Sequence, residues 1–230
     1  MPKNTLFHKI FFPIKTYLPA WLSRPIRNLF TAVLTPHWFS IQSGHFRSSF
    51  KALSVSKEGK PLPWYTYPCI DFLSTCSFQG KLILEFGGGQ STYWWAARAK
   101  QVVTIESERD WYLKIKSKAL ENVSAFLVNE SDASQYLKKA SELLNEKGFS
   151  KFDIIIIDSM FYREELAYLA AELVSENGVI ICDNSGHFDF ERGLKNRDLK
   201  KVDFFGHAPG VMLPDCTSIF FYDTSSLFKF

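Results

Sequence analysis

Short apolar runs alternate with longer amphipathic stretches through the central part of this chain. Each run is rich in aliphatic residues and is followed by a polar or acidic residue. The runs cover residues 82–84, 101–105, 125–128, 152–157 and 179–182. Runs of this length are typical of parallel strands that are covered on both faces. The segments between them, residues 93–97, 111–120, 135–144 and 164–174, have helical composition. The alternation therefore predicts a parallel sheet with right-handed crossover helices.

The alternation of strand and helix patterns stops near the C-terminus. Residues 202–206 and 218–222 have strand character, and the loop between them contains Pro and Gly but no helical pattern. Two strands joined without a helix favour an antiparallel hairpin. The sequence thus predicts an α/β fold in which a hairpin is added to a mostly parallel sheet.

The first predicted strand leads into a cluster of three glycines, Gly87, Gly88 and Gly89. Glycine permits positive φ and lets a ligand approach the backbone closely. Ser91 and Thr92 follow, and both residue types favour the start of a helix. A strand, a tight turn and a helix in this order are how α/β proteins build a nucleotide pocket.

Acidic residues stand at the predicted carboxyl ends of the strands or just beyond them. They are Glu85, Glu106, Asp132, Asp158 and Asp183. Ligands of open parallel sheets bind outside these strand ends. Glu106 lies 21 residues after Glu85, close to the spacing of about 20 residues at which a carboxylate reaches ribose hydroxyls in such folds.

The glycine cluster differs from two common phosphate-binding motifs. It lacks the third glycine of GxGxxG, and no Gly-Lys-Ser/Thr follows it as in a P-loop. Glu85, two residues before Gly87, would repel a diphosphate. These features favour a ligand that presents an amino group and a ribose.

The chain resembles class I S-adenosylmethionine-dependent methyltransferases over roughly residues 64–223. The resemblance rests on the ExGxG motif Glu85-Phe86-Gly87-Gly88-Gly89, the strand-end Glu106, the Asp132-Ala133 pair and the closing hairpin. The resemblance implies a Rossmann-like, doubly wound sheet of seven strands in the order 3-2-1-4-5-7-6. Residues 61–230 would form this domain, and residues 1–60 would precede it as an arm.

The same resemblance assigns cofactor contacts. The glycines would hold the methionine part of S-adenosylmethionine, Glu106 the ribose hydroxyls, and Asp132 with Ala133 the adenine amino group. The remaining residues assigned to the cofactor are Glu85, Ser91, Thr92 and Asp158.

A narrower resemblance, to metal-dependent small-molecule O-methyltransferases, rests on Asp158, Asp183 and Asn184. It implies a Mg²⁺ ion held by these oxygens, which would lower the pKa of a substrate hydroxyl. That group carries a Lys shortly after the first Asp, whereas this chain reads Ser-Met-Phe-Tyr-Arg over residues 159–163. The alternative is that Asp183 and Asn184 only cap a loop.

Candidate general bases are Asp158 and His187, with His207 as a further imidazole, because histidine is the side chain most often used for proton transfer. The aromatic loop at Trp64 and Tyr65 precedes the glycine strand and either closes over a ligand or packs on the domain. Asp183 and Asn184 are assigned to the substrate side as well.

Residues 1–60 contain nine Lys and Arg residues and a single acid, Glu58, interleaved with many aromatic residues. Pro13, Pro19, Pro25 and Pro36 predict that any helix here is broken into short pieces. The composition suits either a segment that packs over the pocket or one that lies on an anionic membrane surface. We do not expect a membrane-spanning segment or nucleic-acid binding.

The sequence therefore predicts a cytoplasmic methyltransferase, either unattached or peripherally associated with a membrane. It would transfer a methyl group from S-adenosylmethionine to an oxygen or nitrogen of a small-molecule, glycan or lipid acceptor. Two alternatives are a Rossmann-like oxidoreductase that binds NAD(P) or a nucleotide sugar, and a non-catalytic scaffold whose basic arm binds a partner.

Overall fold

The computed structural model describes residue 17, residues 19–118, 120–195 and 197–223, and residue 225. The strands are β1 (Leu82–Phe86), β2 (Gln101–Glu106), β3 (Val123–Leu127), β4 (Phe152–Ile157), β5 (Val174–Cys182), β6 (Lys200–Gly206) and β7 (Asp215–Phe221). The helices are α1 (Ala20–Gln42), α2 (His45–Lys51), α3 (Tyr67–Ser74), α4 (Gln90–Ala96), α5 (Arg109–Ser117), α6 (Ala133–Glu146), α7 (Arg163–Leu173) and α8 (Phe190–Leu194).

The strands form one seven-stranded sheet in the order β3-β2-β1-β4-β5-β7-β6. Neighbours from β3 to β5 pair in parallel, whereas β7 pairs antiparallel with both β5 and β6. The predicted Rossmann-like fold, its strand order and its C-terminal hairpin are thus confirmed. Because β7 runs against β5, the β6–β7 loop lies at the same edge of the sheet as the carboxyl ends of the parallel strands.

The apolar runs are buried on both faces, as the parallel sheet requires. In β4, Ile155 and Ile157 pack into one core cluster with α6 and α7, while Ile154 and Ile156 pack into the other with α3 and α4. The period of two along each strand divides every run between the two clusters. This is why the runs show no alternation between apolar and polar positions.

Several element boundaries differ from the sequence prediction, and the largest difference is at β5. Strand β5 begins at Val174, not at 179, because Glu176-Asn177-Gly178 stays within the strand through an irregular pairing register beside Phe152 and Ile154. The short helix α8 was not predicted, since its five residues are too few for a helical period to show.

Helix α1 corrects the prediction that prolines break the N-terminal segment. It is a single helix of 23 residues that contains both Pro25 and Pro36 and has no buried residue. A proline removes one N–H donor and frees one carbonyl, and on an exposed helix water can satisfy that carbonyl. No helix among the described residues is long and apolar enough to cross a bilayer. The predicted boundary between arm and domain at residue 60 stays a prediction, and Pro13 lies outside the described residues.

The aromatic core beside α4 contains a buried polar contact between two rings. The indole N–H of Trp95 donates to the hydroxyl of Tyr65 at 3.2 Å, and both side chains are fully buried. A hydrogen-bonding group in this position is costly to leave without a partner. The contact therefore ties the loop before α3 to the helix that follows the glycines.

We expect Tyr65→Phe to lower the free energy of unfolding by about 1–3 kcal/mol, because the Trp95 N–H loses its acceptor inside the core. Urea denaturation followed by circular dichroism measures the change. Tyr168→Phe is the matched control, since Tyr168 is exposed on α7 and should change stability by less than about 0.5 kcal/mol. Equal effects of the two substitutions would contradict this role for Tyr65.

Candidate active site

A cavity of about 410 Å³ lies at the carboxyl ends of β1, β2 and β4. Its lining comes from the glycine turn, the start of α4, the loop after β2, the first two turns of α5, and the loop after β4. The lining residues are Trp64, Gly87, Gly88, Gly89, Gln90, Ser91, Glu106, Glu108, Asp110, Trp111, Lys114, Asp158, Met160 and Arg163. The volume is in the range of small-molecule sites.

The glycine turn, residues 87–89, forms one wall of this cavity, and its first two members have no room for a side chain. Gly87 has φ +88°, and a Cβ built on it would lie 2.4 Å from the backbone oxygen of Asp158. A Cβ on Gly88 would lie 2.5 Å from Ile115 Cδ1. A Cβ on Gly89 would meet only the ring of Trp111 at 3.9 Å. Gly87 and Gly88 are therefore required by packing within the protein, and Gly89 is the one whose missing side chain leaves space beside Trp111.

Glu106 holds the glycine turn through its carboxylate. Glu106 Oε2 accepts from the backbone N–H of Gly88 at 2.7 Å, and Oε1 accepts from the N–H groups of Ser107 and Glu108 at 2.8 Å each. Burial raises the pKa of Glu106, and the backbone N–H donors oppose part of that shift. The carboxylate also lines the cavity. Glu106 thus lines the cavity and fixes the turn, and its contact with a ribose stays a prediction.

Glu85 and Thr92 lie beneath the turn and do not line the cavity. Both are fully buried, and the hydroxyl of Thr92 donates to Glu85 Oε2 at 2.5 Å while accepting from the N–H of Gly89. Burial raises the pKa of Glu85 to about 8, against the opposing effect of the Ser91 and Thr92 hydroxyls. The structure therefore corrects the expectation that Glu85 and Thr92 contact the cofactor: they support the turn from below.

Asp132 and Ala133 lie at the start of α6 and are not part of the cavity lining. The Asp132 carboxylate accepts from the backbone N–H of Gln135 at 3.0 Å and so caps the helix. The acids of the lining that follow β2 are instead Glu108, just before α5, and Asp110, in its first turn. Neither Asp132 nor Ala133 is therefore placed to contact an adenine bound in this cavity.

Arg163 holds the end of β4 to the end of β5. Its guanidinium donates to Asp158 Oδ1 at 2.8 Å and to Asn184 Oδ1 at 2.9 Å, and also to the backbone oxygens of Ser159 and Asp183. Burial raises the pKa of Asp158 to about 6, although the charge of Arg163 acts in the opposite direction. A fixed cation therefore stands between two of the oxygens expected to bind a metal.

The three proposed Mg²⁺ ligands do not fit that ion in this arrangement. Arg163 engages Asp158 and Asn184, while Asp183 is buried and accepts from the hydroxyl of Thr217 at 2.8 Å. A guanidinium at this place repels a second cation and already supplies the donors that the oxygens need. Within the described ranges, no group of three or more His, Cys, Asp or Glu is placed to hold a metal.

The predicted bases and substrate contacts separate in space. Asp158 lines the cavity, whereas His187 is exposed outside the lining, with Nε2 3.5 Å from Asp215 Oδ2. His207 faces His45 across a different groove, with ring centroids 6.2 Å apart. Asn184 has φ +55° and donates to Asp215 at 2.6 Å. Of the candidate bases, Asp158 alone lines the cavity.

The two aromatic residues of the loop before α3 occupy different positions. Trp64 lines the cavity, and its indole N–H donates to the backbone oxygen of Pro209 at 2.8 Å. Tyr65 is fully buried against Trp95 and cannot touch a substrate, so its assignment as a substrate contact was wrong. Asp183 is likewise buried away from the cavity lining.

Several lining residues were not predicted. Glu108, Asp110 and Trp111 follow the strand-end acid Glu106 within five positions. The signal was present, because the loop after a strand that ends at the ligand edge belongs to the site by position. For Arg163, the sequence shows only that the expected Lys is missing from this stretch. Its role depends on partners that come together in the folded chain.

We expect Glu85→Gln to remove a pH-dependent loss of stability. Glu85 has a pKa of about 8 in the folded protein, against 4.5 as its ordinary value. Stability from this group is therefore present at low pH and declines as pH rises through that window, by about 1.4 kcal/mol per unit. The difference in unfolding free energy between Glu85→Gln and the unchanged protein should grow in favour of the variant from pH 5 to about 8. Urea denaturation across this range measures it.

Glu146→Gln serves as the control, because Glu146 is exposed at the end of α6. Its stability difference from the unchanged protein should stay constant with pH. A constant difference for Glu85→Gln as well would show that the carboxyl of Glu85 is ionised in the fold.

The known proteins that this chain is similar to share only its fold. No family model matches the sequence, and no curated protein does. Similar solved structures include a TehB-like SAM-dependent methyltransferase from Corynebacterium glutamicum, with 14% identity, a TM-score of 0.45, and coverage of 66% of this chain and 86% of that one. An rRNA methylase from Streptococcus thermophilus has 12% identity and a TM-score of 0.44, covering 66% and 94%. TYW2 of M. jannaschii in complex with AdoMet has 15% identity and a TM-score of 0.41, covering 70% and 77%. At this level of similarity, the function has to be inferred from the residues of the cavity.

Proposed function

We propose that this chain binds S-adenosylmethionine in the cavity beside the glycine turn and transfers its methyl group to an oxygen or nitrogen acceptor. The observation that carries the proposal is the acidic lining of a cavity formed by the glycine turn and Glu106. Strand order 3-2-1-4-5-7-6 and the sequence resemblance stated above agree with it. No part of the proposal depends on the acceptor's identity.

The charges of the lining favour a cationic ligand. Four carboxyl groups face or border the cavity, those of Glu106, Glu108, Asp110 and Asp158, against the cations Lys114 and Arg163. Arg163 is already paired with Asp158. S-adenosylmethionine carries a sulfonium and an ammonium group, both of which gain from nearby carboxylates, whereas the diphosphate of a dinucleotide would be repelled.

The shape of the lining suits the rest of the ligand. Gly89 leaves space beside the ring of Trp111, which offers an apolar, aromatic surface to a base or sugar. Glu106 borders the same space, and its Oε2, which accepts a single N–H bond from Gly88, retains acceptor capacity. Ribose hydroxyls at Glu106 and the amino-acid part along the glycine turn are therefore compatible with the observed contacts.

When bound, the cofactor would supply an electrophilic methyl group, which an acceptor oxygen or nitrogen would take by in-line attack while S-adenosylhomocysteine leaves. Asp158 lies on the cavity wall, and a carboxyl with a pKa of about 6 is ionised at neutral pH and can accept the acceptor's proton. Arg163 keeps that carboxylate oriented through its 2.8 Å ion pair. We therefore favour Asp158 over His187 as the base. The proposed reaction does not use Mg²⁺, because Arg163 engages two of the three expected ligands.

The acceptor is a small molecule or the polar part of a glycan or lipid. Trp64 and Met160 lie on the cavity lining, and Phe161 and Phe188 are exposed at the same edge of the sheet. Apolar side chains around a polar cavity suit an acceptor with an apolar portion. The oxidoreductase and the non-catalytic scaffold are the outcomes that the next experiment separates from this proposal.

Calorimetric titration should show binding of S-adenosylmethionine and S-adenosylhomocysteine, and no binding of NAD. Asp110→Lys should weaken S-adenosylmethionine more than S-adenosylhomocysteine, because only the former carries the sulfonium charge. We expect about 1–2 kcal/mol, or five- to thirtyfold, for S-adenosylmethionine. Glu146→Lys makes the same charge change on α6, outside the cavity, and should leave both affinities unchanged. Binding of NAD alone would favour the oxidoreductase, and binding of none of the three would favour the scaffold.

A further inference from the structure

An extensive apolar surface lies at the ligand-binding edge of the sheet. Its members are exposed side chains of α1, α2 and the β6–β7 loop, and we call it the docking surface. It comprises Trp21, Leu29, Val33, Ile41, Phe46, Phe50, Val211, Met212 and Leu213. Phe50 and Met212 are each 80% exposed. Apolar patches of this extent on soluble proteins usually mark an interaction site.

The parts of the docking surface adjoin one another. Pro36 and Phe39 of α1 and Met212 of the loop line one open groove. Phe46 and Phe50 of α2 stack with ring centroids 4.7 Å apart. The N–H of Gly210 donates to His45 Nδ1 at 3.3 Å, so the loop is held against the start of α2. The C-terminal turns of α1, the start of α2 and the β6–β7 loop therefore adjoin one another.

Helix α1 has the pattern of a helix that lies in an interface. Leu22, Ile26, Leu29 and Val33 follow one another at spacings of four, three and four residues, which forms an apolar stripe. Arg24, Asn28, Thr31 and Thr35 form a polar stripe at the same spacings.

The charge around the docking surface is of one sign. Arg24 and Arg27 lie on α1, Arg47 and Lys51 on α2, and Lys57 just beyond, whereas the first acid of the chain is Glu58. Lys57 is paired with Glu58 at 3.8 Å, which leaves the four cations of α1 and α2 in excess. A surface in which cations and aromatic residues predominate is complementary to an anionic lipid layer. A folded protein partner would have to cover the whole length of an isolated helix that has no buried residue.

We propose that the docking surface lies on anionic lipid bilayers, with α1 parallel to the membrane plane and the mouth of the cavity turned toward the headgroups. Trp64 connects the two sites, since it lines the cavity and donates to Pro209 in the loop that carries Met212. The orientation would bring the cavity to acceptors in the membrane surface. This last consequence rests on the proposed function, whereas the docking itself does not.

Co-sedimentation of the full-length protein with vesicles tests the proposal without any cofactor. The protein should sediment with phosphatidylcholine vesicles that contain phosphatidylglycerol, and much less with phosphatidylcholine alone. Arg24→Gln with Arg27→Gln should lower partitioning about fivefold for each cation removed. Leu29→Glu with Val33→Glu should lower it at least tenfold, because the apolar stripe can no longer be buried. Tyr168→Glu, at an exposed aromatic residue on α7, should leave partitioning unchanged.

A second measurement on the same variants distinguishes a lipid bilayer from a second copy of the chain as the partner of the docking surface. Sedimentation velocity without lipid should give a monomer for the unchanged protein and for Leu29→Glu with Val33→Glu. A dimer that this double variant dissociates would overturn the proposal in favour of a second copy of the chain. Absence of vesicle binding at low salt, or equal binding to both vesicle types, would overturn it as well. Because the cofactor titration is separate, its failure leaves this result interpretable.

Discussion

The close approach of the glycine turn to the end of β4 sets the geometry of the whole site. Gly87 donates to Ile105 at 3.0 Å and Asp158 donates to Phe86 at 2.9 Å, so the exits of β1, β2 and β4 are joined by backbone hydrogen bonds. There is no space for a side chain at Gly87, whose Cβ would lie 2.4 Å from a backbone oxygen. Everything that lines the cavity is positioned relative to this contact. A change here would move the turn, Glu106 and Asp158 together.

Buried acidic groups around the turn are stabilised in different ways. Glu106 accepts backbone N–H bonds, Asp158 pairs with Arg163, and Glu85 has a pKa of about 8 and is therefore protonated at neutral pH. Carboxyl groups removed from water are costly unless they are paired, hydrogen-bonded or neutral. Their concentration at one edge of the sheet is consistent with a site that selects a cationic ligand. Arg163 balances Asp158, so the remaining carboxylates stay available.

The sheet was predictable because each strand is apolar along its whole length and ends at a polar residue. Ile154 to Ile157 alternate between two covered faces, which leaves a continuous apolar run that sequence inspection detects directly. The positions of Glu85 and Tyr65 were not predictable, since being at a strand end or in an aromatic loop does not say which side of the backbone layer a side chain occupies. Helix α1 was missed because the proline rule assumes that a broken hydrogen bond stays unsatisfied. On a helix with no buried residue, that assumption does not hold.

Hydrogen exchange of the full-length protein, with and without saturating S-adenosylhomocysteine, tests the location of the cofactor site most directly. Residues 87–91 line the cavity, as do Glu106, Glu108, Asp110 and Trp111, and we predict that their backbone amides exchange more slowly in the complex. Amides of α6 near Asp132 should be unaffected, because that helix start lies outside the lining. If the ligand binds while these lining residues keep their exchange rates and protection appears elsewhere, the glycine turn and Glu106 are not the cofactor site.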